Sequence, residues 1–328
     1  MRIFVTGGAG YVGSHTCKAL AQNGHEVIVY DNLSTGFRKL VKWGELIEGD
    51  ILDKDLLQTI LHRHKPDGII HFAAFSQVGE SVSDPGKYVR NNVAGTMNIL
   101  EAMRLEGVRN IVVSSTAAVY GIPDHCPITE NIATQPINPY GETKLFMEWM
   151  LADYARAYGL SWMALRYFNA AGADPDGECG ECHDPETHLI PRALKALTGE
   201  LTDFNIMGDD YPTPDGTCIR DYIHVTDLAA AHVLAMQYLS QDENGKGYAL
   251  NLGTGKGISV REILDAVARV TGRQVPHTIG PRRAGDPPVL VADGSRAAAL
   301  LHWHAIYSDL DNLIADAWRW HTSNTVKK

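Results

Sequence analysis

Tyr140 and Lys144 stand four residues apart in the segment Tyr140-Gly141-Glu142-Thr143-Lys144. On a helix, this spacing places the phenol and the ammonium on one face. A tyrosine has a pKa of about 10, and a nearby positive charge favours the phenolate, which can act as a general base near neutral pH. Thr116 ends the apolar run that begins at Asn110, so its hydroxyl is expected to meet a substrate oxygen at the sheet edge. The three side chains predict proton transfer to and from an alcohol.

A glycine-rich turn precedes them, reading Gly7-Gly8-Ala9-Gly10-Tyr11-Val12-Gly13. It follows the apolar run Ile3–Thr6, opens an amphipathic segment and leads to a second apolar run that ends at Asp31. That context is typical of a dinucleotide site, in which the pyrophosphate lies at a helix N-terminus. An acid at Asp31 suits the ribose hydroxyls of NAD and disfavours NADP. A glycine turn without a ligand is the plainer alternative, and the context favours NAD.

The elements that must position these residues alternate along the first half of the chain. Near-continuous apolar runs predict parallel strands covered on both faces, at Arg2–Thr6, Glu26–Tyr30, Gly68–Phe72, Asn110–Ser115 and Ser161–Phe168. Amphipathic segments between them predict helices, at Ser14–Asn23, Asn92–Glu106 and Tyr140–Tyr158. This order predicts an α/β fold with a doubly wound parallel sheet of the Rossmann type.

The regular alternation of apolar runs and amphipathic segments ends after about Phe168, which predicts a smaller second lobe. Gly172–Asp184 reads as a long loop, Lys246–Gly253 as a strand and Ser259–Gly272 as a helix with a capping box formed by Ser259 and Glu262. We therefore expect a nucleotide-binding domain at 1–167, rejoined by about 219–255. The smaller α/β substrate-binding domain is expected at 168–328.

Composition excludes several classes of protein. The 328 residues are 45% hydrophobic and carry a net charge of −10, which disfavours nucleic acid as a partner. The longest apolar stretch, Leu228–Leu239, is interrupted by His232 and Gln237, so no membrane span is predicted. The five cysteines are scattered, and the N-terminus leaves no room for a signal-peptide hydrophobic region before its glycines. A cytoplasmic protein is expected.

Several histidines and cysteines invite a different interpretation. Cys179-Gly180-Glu181-Cys182-His183 spells a haem-attachment pattern, and His188 adds a possible fourth zinc ligand. Haem attachment requires export, and no second CxxC accompanies the first, so we interpret the segment as an ordinary loop and predict no metal. His71 and His224 lie near strand ends and are expected to be hydrogen-bonded structural residues.

The glycine turn, Asp31, the run Ser114-Ser115-Thr116 and the Tyr140/Lys144 pair together resemble the extended short-chain dehydrogenases/reductases. More specific strings, collinear to about Ala317, resemble the UDP-glucose (UDP-galactose) 4-epimerase family. These strings are His71-Phe72-Ala73-Ala74, Val78-Gly79-Glu80-Ser81, Asn138-Pro139-Tyr140-Gly141, Leu165-Arg166-Tyr167-Phe168-Asn169, Asp215-Gly216-Thr217-Cys218-Ile219-Arg220-Asp221-Tyr222-Ile223-His224-Val225 and Arg282-Arg283-Ala284-Gly285-Asp286.

The resemblance implies a mechanism and a set of contacts. A tightly held NAD+ takes a hydride from C4 of a UDP-hexose while Tyr140 takes the hydroxyl proton, and the 4-keto sugar turns and receives the hydride on its other face. Lys144 would tune the pKa of Tyr140 and hold the nicotinamide ribose. The implied cofactor contacts are Gly7, Gly10, Tyr11, Val12, Gly13, Asp31, Asn32, Asp50, Ile51, Phe72, Ala73, Ala74, Asn92, Lys144 and Tyr167. The implied substrate contacts are Thr116, Tyr140, Phe168, Asn169, His188, Leu189, Asn205, Arg220, Arg283, Asp286 and Leu290.

Three positions depart from the family pattern or leave its substrate open. Ser76 stands where some members have a cofactor-contacting lysine, and His188 stands at a sugar-loop position that is asparagine in other members. Leu290 falls where residue size is thought to gate N-acetylated sugars, and a leucine is intermediate. UDP-pentoses and UDP-N-acetylhexosamines therefore stay open as substrates beside UDP-galactose and UDP-glucose.

Other activities fit the same motifs less well. A 4,6-dehydratase needs an added acid and base after the threonine, and Ala117 and Ala118 cannot transfer protons. A simple NAD-dependent dehydrogenase or reductase would leave the UDP-gripping arginines unexplained. A non-catalytic NAD-sensing protein has no need for both Tyr140 and Lys144.

The segment Tyr140–Tyr158 carries more apolar side chains than one helix face needs. Extra packing within one subunit could account for them. The family's homodimer, which pairs this helix with the one near Asn92–Glu106 in a four-helix bundle, accounts for them better.

Overall fold

The computed structural model describes residues 1–242, 245–283 and 286–323. The strands, in chain order, are β1 (Arg2–Thr6), β2 (Glu26–Asp31), β3 (Glu45–Glu48), β4 (Gly68–His71), β5 (Asn110–Thr116), β6 (Ser161–Tyr167), β7 (Asn169–Ala171), β8 (Asn205–Met207), β9 (Ile219–Arg220), β10 (Tyr222–His224), β11 (Gly247–Leu252), β12 (Ile258–Ser259), β13 (Thr278–Gly280) and β14 (Val289–Leu290). The helices are α1 (Tyr11–Gln22), α2 (Lys54–His64), α3 (Val78–Ser83), α4 (Pro85–Tyr88), α5 (Gly95–Glu106), α6 (Pro139–Tyr158), α7 (Leu189–Thr198), α8 (Val225–Gln241), α9 (Val260–Thr271), α10 (Ser295–Leu301) and α11 (Leu310–Thr322).

Seven strands form one parallel sheet in the order β11-β6-β5-β4-β1-β2-β3. Their carboxyl ends meet at one edge, where ligands bind in sheets of this kind. Helices α1 and α8 cover one face, and α2, α5 and α6 cover the other. Because both faces are covered, Ile3, Phe4 and Val5 of the inner strand β1 are all fully buried. The doubly wound Rossmann-type fold predicted from the apolar runs is confirmed.

The predicted strands and helices of the first half are present, and their ends differ from the predicted ones by at most three residues. Helix α1 begins at Tyr11 instead of Ser14, so it starts directly after the glycine turn. The segment Val89–Ala94 forms a wider helical turn that continues into α5. Strand β3 and helix α2 had no prediction, since β3 is a short edge strand with glutamates at both ends.

A second core lies among α7, α9 and α11 and three small sheets. Helix α9 has both reciprocal hydrogen bonds of the capping box between Ser259 and Glu262, and Gly272 ends it in the left-handed conformation, as predicted. The segment Gly172–Asp184 contains no helix or strand, which fits the predicted loop. The chain returns to the large sheet through α8 and β11, where β11 pairs with β6. The division into domains at 1–167 and 168–328 stays a prediction.

Within the described ranges, no helix is both long enough and apolar enough to cross a bilayer. Leu228–Leu239, the longest apolar stretch of the sequence, lies inside α8. That helix packs against the sheet and buries His232, whose Nδ1 atom bonds the carbonyl oxygen of Leu228 at 2.8 Å.

Candidate active site

The glycine turn is closed to side chains at Gly7 and Gly13. Gly7 has a φ of +76°, and a Cβ there would lie 2.6 Å from the backbone nitrogen of Ala73. A Cβ on Gly13 would lie 2.2 Å from the carbonyl oxygen of Gly7, which is closer than any real contact. The amide of Gly10 donates to the same oxygen at 3.1 Å, which tightens the turn. The turn therefore leaves its backbone free for a pyrophosphate at the start of α1, so the chain fits NAD there.

Asp31 ends β2 beside this turn and is buried. Its two carboxylate oxygens accept backbone hydrogen bonds from Ala9 at 3.0 Å and Leu33 at 2.8 Å. Burial raises the pKa of Asp31, while these two donors lower it. A carboxylate oxygen has room for a further donor, so Asp31 can also accept from a ribose hydroxyl.

Asn32, Asp50 and Ile51 form the next part of the same edge. The Asn32 amide donates to Asp50 at 2.9 Å, so the loops that follow β2 and β3 are joined. Ile51 is buried against α5, where a Cβ added to Gly95 would lie 2.3 Å from its Cδ1 atom. These residues shape the region beyond Asp31, and their contacts with a cofactor stay a prediction.

The predicted cofactor residues after β4 have well-defined protein contacts. Phe72 donates its amide to Thr6 at 2.8 Å and packs on His232. Asn92 is fully buried, and its amide bonds Phe75 at 2.9 and 3.1 Å and the hydroxyl of Thr143 at 3.1 Å. Asn92 therefore ties the loop after β4 to α6. Ala73 and Ala74 are half-buried in that loop, and Ser76 is exposed.

Tyr11 and Val12 open α1. The hydroxyl of Tyr11 donates to the carbonyl oxygen of Gly172 at 2.6 Å, which joins the glycine turn to the loop that begins the second lobe. Val12 is half-buried against the core under α1 and α8. Tyr11 thus has a structural partner in addition to its predicted cofactor role.

Tyr140 lies in the first turn of α6 and is buried beside Thr116 at the end of β5. Asn138 caps the helix by accepting from the amide of Gly141 at 2.9 Å, which fixes where the first turn stands. Burial raises the pKa of Tyr140, and the hydrogen bond from Thr116 lowers it. The structure therefore brings the predicted base and the predicted hydroxyl partner together at the end of β5.

Lys144 is also buried, one turn further along α6. Its Nζ atom donates to the carbonyl oxygen of Ser114 at 2.7 Å, and the hydroxyl of Ser114 bonds that of Tyr167. Burial lowers the pKa of Lys144 to about 7, although the negative charge of Glu148 opposes the shift. The cation thus sits beside the last residues of β5 and within a turn of the base.

The sequence interpretation missed a buried network beneath this pair. Glu148 follows Lys144 by four residues on the same face of α6, and it forms a two-point ion pair with Arg166 of β6. Glu148 also accepts from the hydroxyl of Ser115 at 2.5 Å, while Arg166 donates to the hydroxyl of Tyr120 at 2.8 Å. The repeat of Tyr140, Lys144 and Glu148 at intervals of four was the available signal.

On the substrate side, Arg220 and Asp286 contact each other. The guanidinium of Arg220 bonds the Asp286 carboxylate at 2.5 Å, and both side chains are largely buried. Leu290 is the register partner of Arg220 in the small sheet that contains β9 and β14. Leu290 and Phe168 pack on the apolar cluster that includes Tyr120, in the turn after Thr116. This cluster links the predicted substrate residues to the Tyr140 end of the site.

The remaining predicted substrate residues are more dispersed. Asn169 lies in β7, where its amide donates to the carbonyl oxygen of Asp221 at 3.1 Å. Leu189 begins α7, and Asn205 is exposed at the start of strand β8, where its side chain bonds Thr278. Arg283 is exposed. Ala284 and Gly285 of the same sequence string lie outside the described residues.

The histidines and cysteines separate into different groups. His71 is fully buried between Thr6 and Thr96, and its pKa falls to about 3 through burial and the charge of Lys144, so the predicted structural role is confirmed. Cys179 and Cys182 pack on an apolar cluster with Trp320. Among the described residues, the group of candidate metal ligands that contains His183 includes neither cysteine.

His188 lies against Glu181 and Glu186. Its burial would lower its pKa, but the two carboxylates raise it to about 10. His224 caps α8 by accepting from the amide of Thr226 at 3.1 Å, and its other ring nitrogen lies 3.3 Å from Asp316. This placement agrees with the structural role predicted for His224.

A parallel sheet with a closed glycine turn, a terminal acid and a buried tyrosine–lysine pair defines the extended short-chain dehydrogenase/reductase class. The chain belongs to the NAD dependent epimerase/dehydratase family, whose model matches residues 3–253. It is 51% identical to the UDP-glucose 4-epimerase of Lacticaseibacillus casei, over 99% of this chain and 98% of that protein.

Two solved structures are also similar over nearly the full length. The UDP-glucose 4-epimerase of Brucella ovis in complex with NAD is 58% identical, with a TM-score of 0.94 and 97% of each chain covered. The UDP-glucose 4-epimerase of Bifidobacterium longum in complex with NAD+ and UDP is 38% identical, with a TM-score of 0.94 and 99% of each chain covered.

Proposed function

We propose that this protein is an NAD-dependent UDP-hexose 4-epimerase that interconverts UDP-galactose and UDP-glucose. The observation that carries the proposal is the buried contact between Tyr140 and Thr116 beside Lys144, at the sheet edge that also holds the glycine turn. The relatives named UDP-glucose 4-epimerase match the chain over nearly its whole length, which supports the same activity here.

The turn from Gly7 to Gly13 would hold the pyrophosphate of NAD, and Asp31 would accept a hydrogen bond from the adenosine ribose. Lys144 is placed to donate to the nicotinamide ribose from its position beside Ser114. When bound, NAD supplies reversible hydride acceptance at C4 of the sugar.

The protein's own groups move the proton. The Tyr140 phenolate accepts the proton of the C4 hydroxyl as the C–H bond of that carbon breaks, and it returns the proton when the hydroxyl reforms. Thr116 would form a hydrogen bond with the same oxygen once the sugar is bound and so orient it against Tyr140. The ammonium of Lys144 favours the phenolate by its charge. Since the same proton leaves and returns, the reaction needs no external acid or base.

Arg220 and Arg283 are proposed to bind the diphosphate, because each guanidinium offers paired donors and keeps its charge. Arg220 is held by Asp286 before any substrate binds, so its fork is already positioned. Leu290 lies in register with Arg220 and is half-buried, which makes it the residue to test for the size of the sugar. UDP-pentoses and UDP-N-acetylhexosamines remain alternatives to be compared with UDP-galactose.

A dehydratase activity is disfavoured by the turn after Thr116. Ala117 and Ala118 occupy the two positions there, and neither can donate or accept a proton. A dehydrogenase would instead consume NAD in proportion to the sugar. Measuring free NADH against sugar product in one reaction distinguishes a dehydrogenase from an epimerase, because an epimerase forms product without accumulating NADH.

A homodimer is the proposed assembly. Helices α5 and α6 lie side by side, joined by the bond from the Tyr154 hydroxyl to Glu101 at 2.5 Å. Both helices expose large apolar side chains, which would be in contact with water if the protein were a single subunit. These side chains are Met97, Leu105, Phe146, Trp149 and Tyr158. A four-helix bundle between two copies would cover them.

The double variant Phe146→Glu, Trp149→Glu tests that assembly by sedimentation. A dimeric parent and a monomeric variant support the bundle, whereas a monomeric parent at micromolar concentration contradicts it.

The cytoplasm is the proposed compartment, because Cys17, Cys126, Cys179, Cys182 and Cys218 are all unpaired, as a reducing environment requires.

A further inference from the structure

A mixed cluster of two histidines and two glutamates lies in the loop that leads into α7. Glu181, His183, Glu186 and His188 each present one ligand atom, and these four atoms lie within 4.8 Å of one another. All four residues come from one stretch of eight, whose local path brings them together. None of them belongs to the proton-transfer group around Tyr140.

The separations match a tetrahedral metal shell. Zinc bonds of 2.0–2.2 Å place neighbouring ligand atoms about 3.4 Å apart. The Nδ1 atom of His188 lies 3.3 Å from Glu186 and 2.6 Å from Glu181. The Nδ1 atom of His183 lies 3.0 Å from Oε1 of Glu181, the oxygen that His188 also contacts, and 3.8 Å from Oε2 of Glu186, whereas His188 contacts Oε1 of that residue. Small shifts of the imidazole rings and a turn of the Glu186 carboxylate would bring one oxygen of each glutamate and both nitrogens around one ion.

Burial makes the cluster more than a group of surface charges. The side chains of Glu181 and Glu186 are 7% and 4% exposed, so both carboxylates are shielded from water and need a positively charged partner. The side chains of His183 and His188 are 25% and 45% exposed, which leaves an opening through which an ion can enter.

The carboxylate of Glu186 and the backbone of Glu181 are also held by hydrogen bonds from outside the cluster. Glu186 accepts from the backbone amides of Thr187 and His188 at 2.7 and 2.8 Å, and the indole of Trp320 donates to the carbonyl oxygen of Glu181 at 3.0 Å. Such outer contacts orient the ligands of a metal.

We propose that Glu181, His183, Glu186 and His188 bind one divalent transition-metal ion, with Zn²⁺ as the best match to two imidazole nitrogens and two carboxylate oxygens. The ion links the loop to the first residue before α7. The ring of His183 lies edge-on to Tyr11, 6.2 Å away between centroids, so the ion also fixes the loop against the glycine turn.

A neighbouring group of carboxylates shows the alternative way to satisfy such charges. Asp174, Asp176 and Glu178 surround the ammonium of Lys18, with contacts of 2.8, 2.7 and 2.8 Å. That group already contains its cation. The cluster at 181–188 contains two imidazoles instead, and imidazole is a common metal ligand, which the ammonium of a lysine is not.

The test uses the full chain without a histidine tag, stripped with a chelator and then titrated with ZnCl₂. Metal content by mass spectrometry is expected to show one tightly held zinc per chain for the parent. The double variant His183→Gln, His188→Gln is expected to bind at least about 100-fold more weakly, since losing even an outer partner costs 10–100-fold. Zinc should raise the Tm of the parent and leave that of the variant unchanged.

His62→Gln is the matched control, because His62 also pairs with a glutamate, at 2.8 Å, on the surface. It should bind zinc as the parent does. X-ray absorption of the zinc-loaded parent should show two imidazoles and two oxygens at 2.0–2.2 Å, a readout that needs no folded variant. Equal zinc binding by parent and double variant, or none by the parent, overturns the proposal and leaves the histidines as partners of the glutamates alone.

Discussion

The Nζ atom of Lys144 donates to the carbonyl oxygen of Ser114 at 2.7 Å, which ties the helix that carries the base to the end of the strand that carries Thr116. The bond crosses from α6 to β5 and is buried, so it sets the distance between Tyr140 and the sheet edge. Lys144 therefore positions Tyr140 in addition to favouring its phenolate form.

Tyr140→Phe should keep the ring and its packing but remove the proton acceptor. We expect turnover to fall by about 10²–10⁴, the usual contribution of a general base, while NAD still co-purifies. The measurement is product formation together with cofactor content. Tyr154→Phe on the same helix is the control and should retain activity; if Tyr140→Phe turned over at the parent rate, the base would have to be another residue.

Thr116→Val tests the electrostatic role of the hydroxyl. Burial raises the pKa of Tyr140 and the Thr116 hydrogen bond lowers it, so removing the bond raises that pKa further. The base works when deprotonated; the acidic limb of kcat/KM against pH should therefore move to higher pH. Thr116→Ser keeps the hydroxyl and should keep the parent profile. An unmoved limb in Thr116→Val would mean that the contact does not tune the base.

Gly13→Ala addresses the cofactor cradle. The new Cβ would lie 2.2 Å from the carbonyl oxygen of Gly7, so the turn must open and NAD content after purification should drop sharply. Gly79→Ala is the matched control, since no atom lies within 4 Å of its added Cβ. Full NAD occupancy in Gly13→Ala would show that the turn does not hold the pyrophosphate.

Glu148→Gln tests the buried network beneath the base. It leaves the buried Arg166 guanidinium facing a neutral amide in place of its negative partner, and breaking a buried pair costs about 3–5 kcal/mol of unfolding free energy. Denaturant unfolding measures this loss. Glu101→Gln breaks a half-exposed pair with Arg104, for which about 0–1 kcal/mol is expected. Similar losses of unfolding free energy in the two variants would show that the buried pair stabilises the fold no more than the half-exposed pair does.

The sequence predicted the large sheet well because its signals are local. Continuous apolar runs such as Gly68–Phe72 are typical of strands buried on both faces, and the glycine turn and the capping box at Ser259 have fixed spacings. The contact of Tyr140 with Thr116 also followed from local patterns, since both residues were assigned to the ends of regular elements.

The remaining features depend on long-range packing that no spacing encodes. Arg220 and Asp286 are 66 residues apart, and their ion pair exists because β9 and β14 meet in a small sheet. The CxxC pattern at Cys179 drew attention to thiols, whereas the structure groups His183 and His188 with two glutamates. Short strands such as β3 carried too few residues for a pattern.

Conversion of UDP-galactose by the purified protein, with no added cofactor, tests the central claim most directly. Sugar nucleotides are followed by chromatography, and free NADH is followed by absorbance. We expect UDP-glucose to form, approaching the same equilibrium ratio from either sugar, with no accumulation of NADH. Absence of conversion, even after NAD is supplied, would contradict the assignment to these two sugars, and NADH formed in proportion to sugar would mark a dehydrogenase.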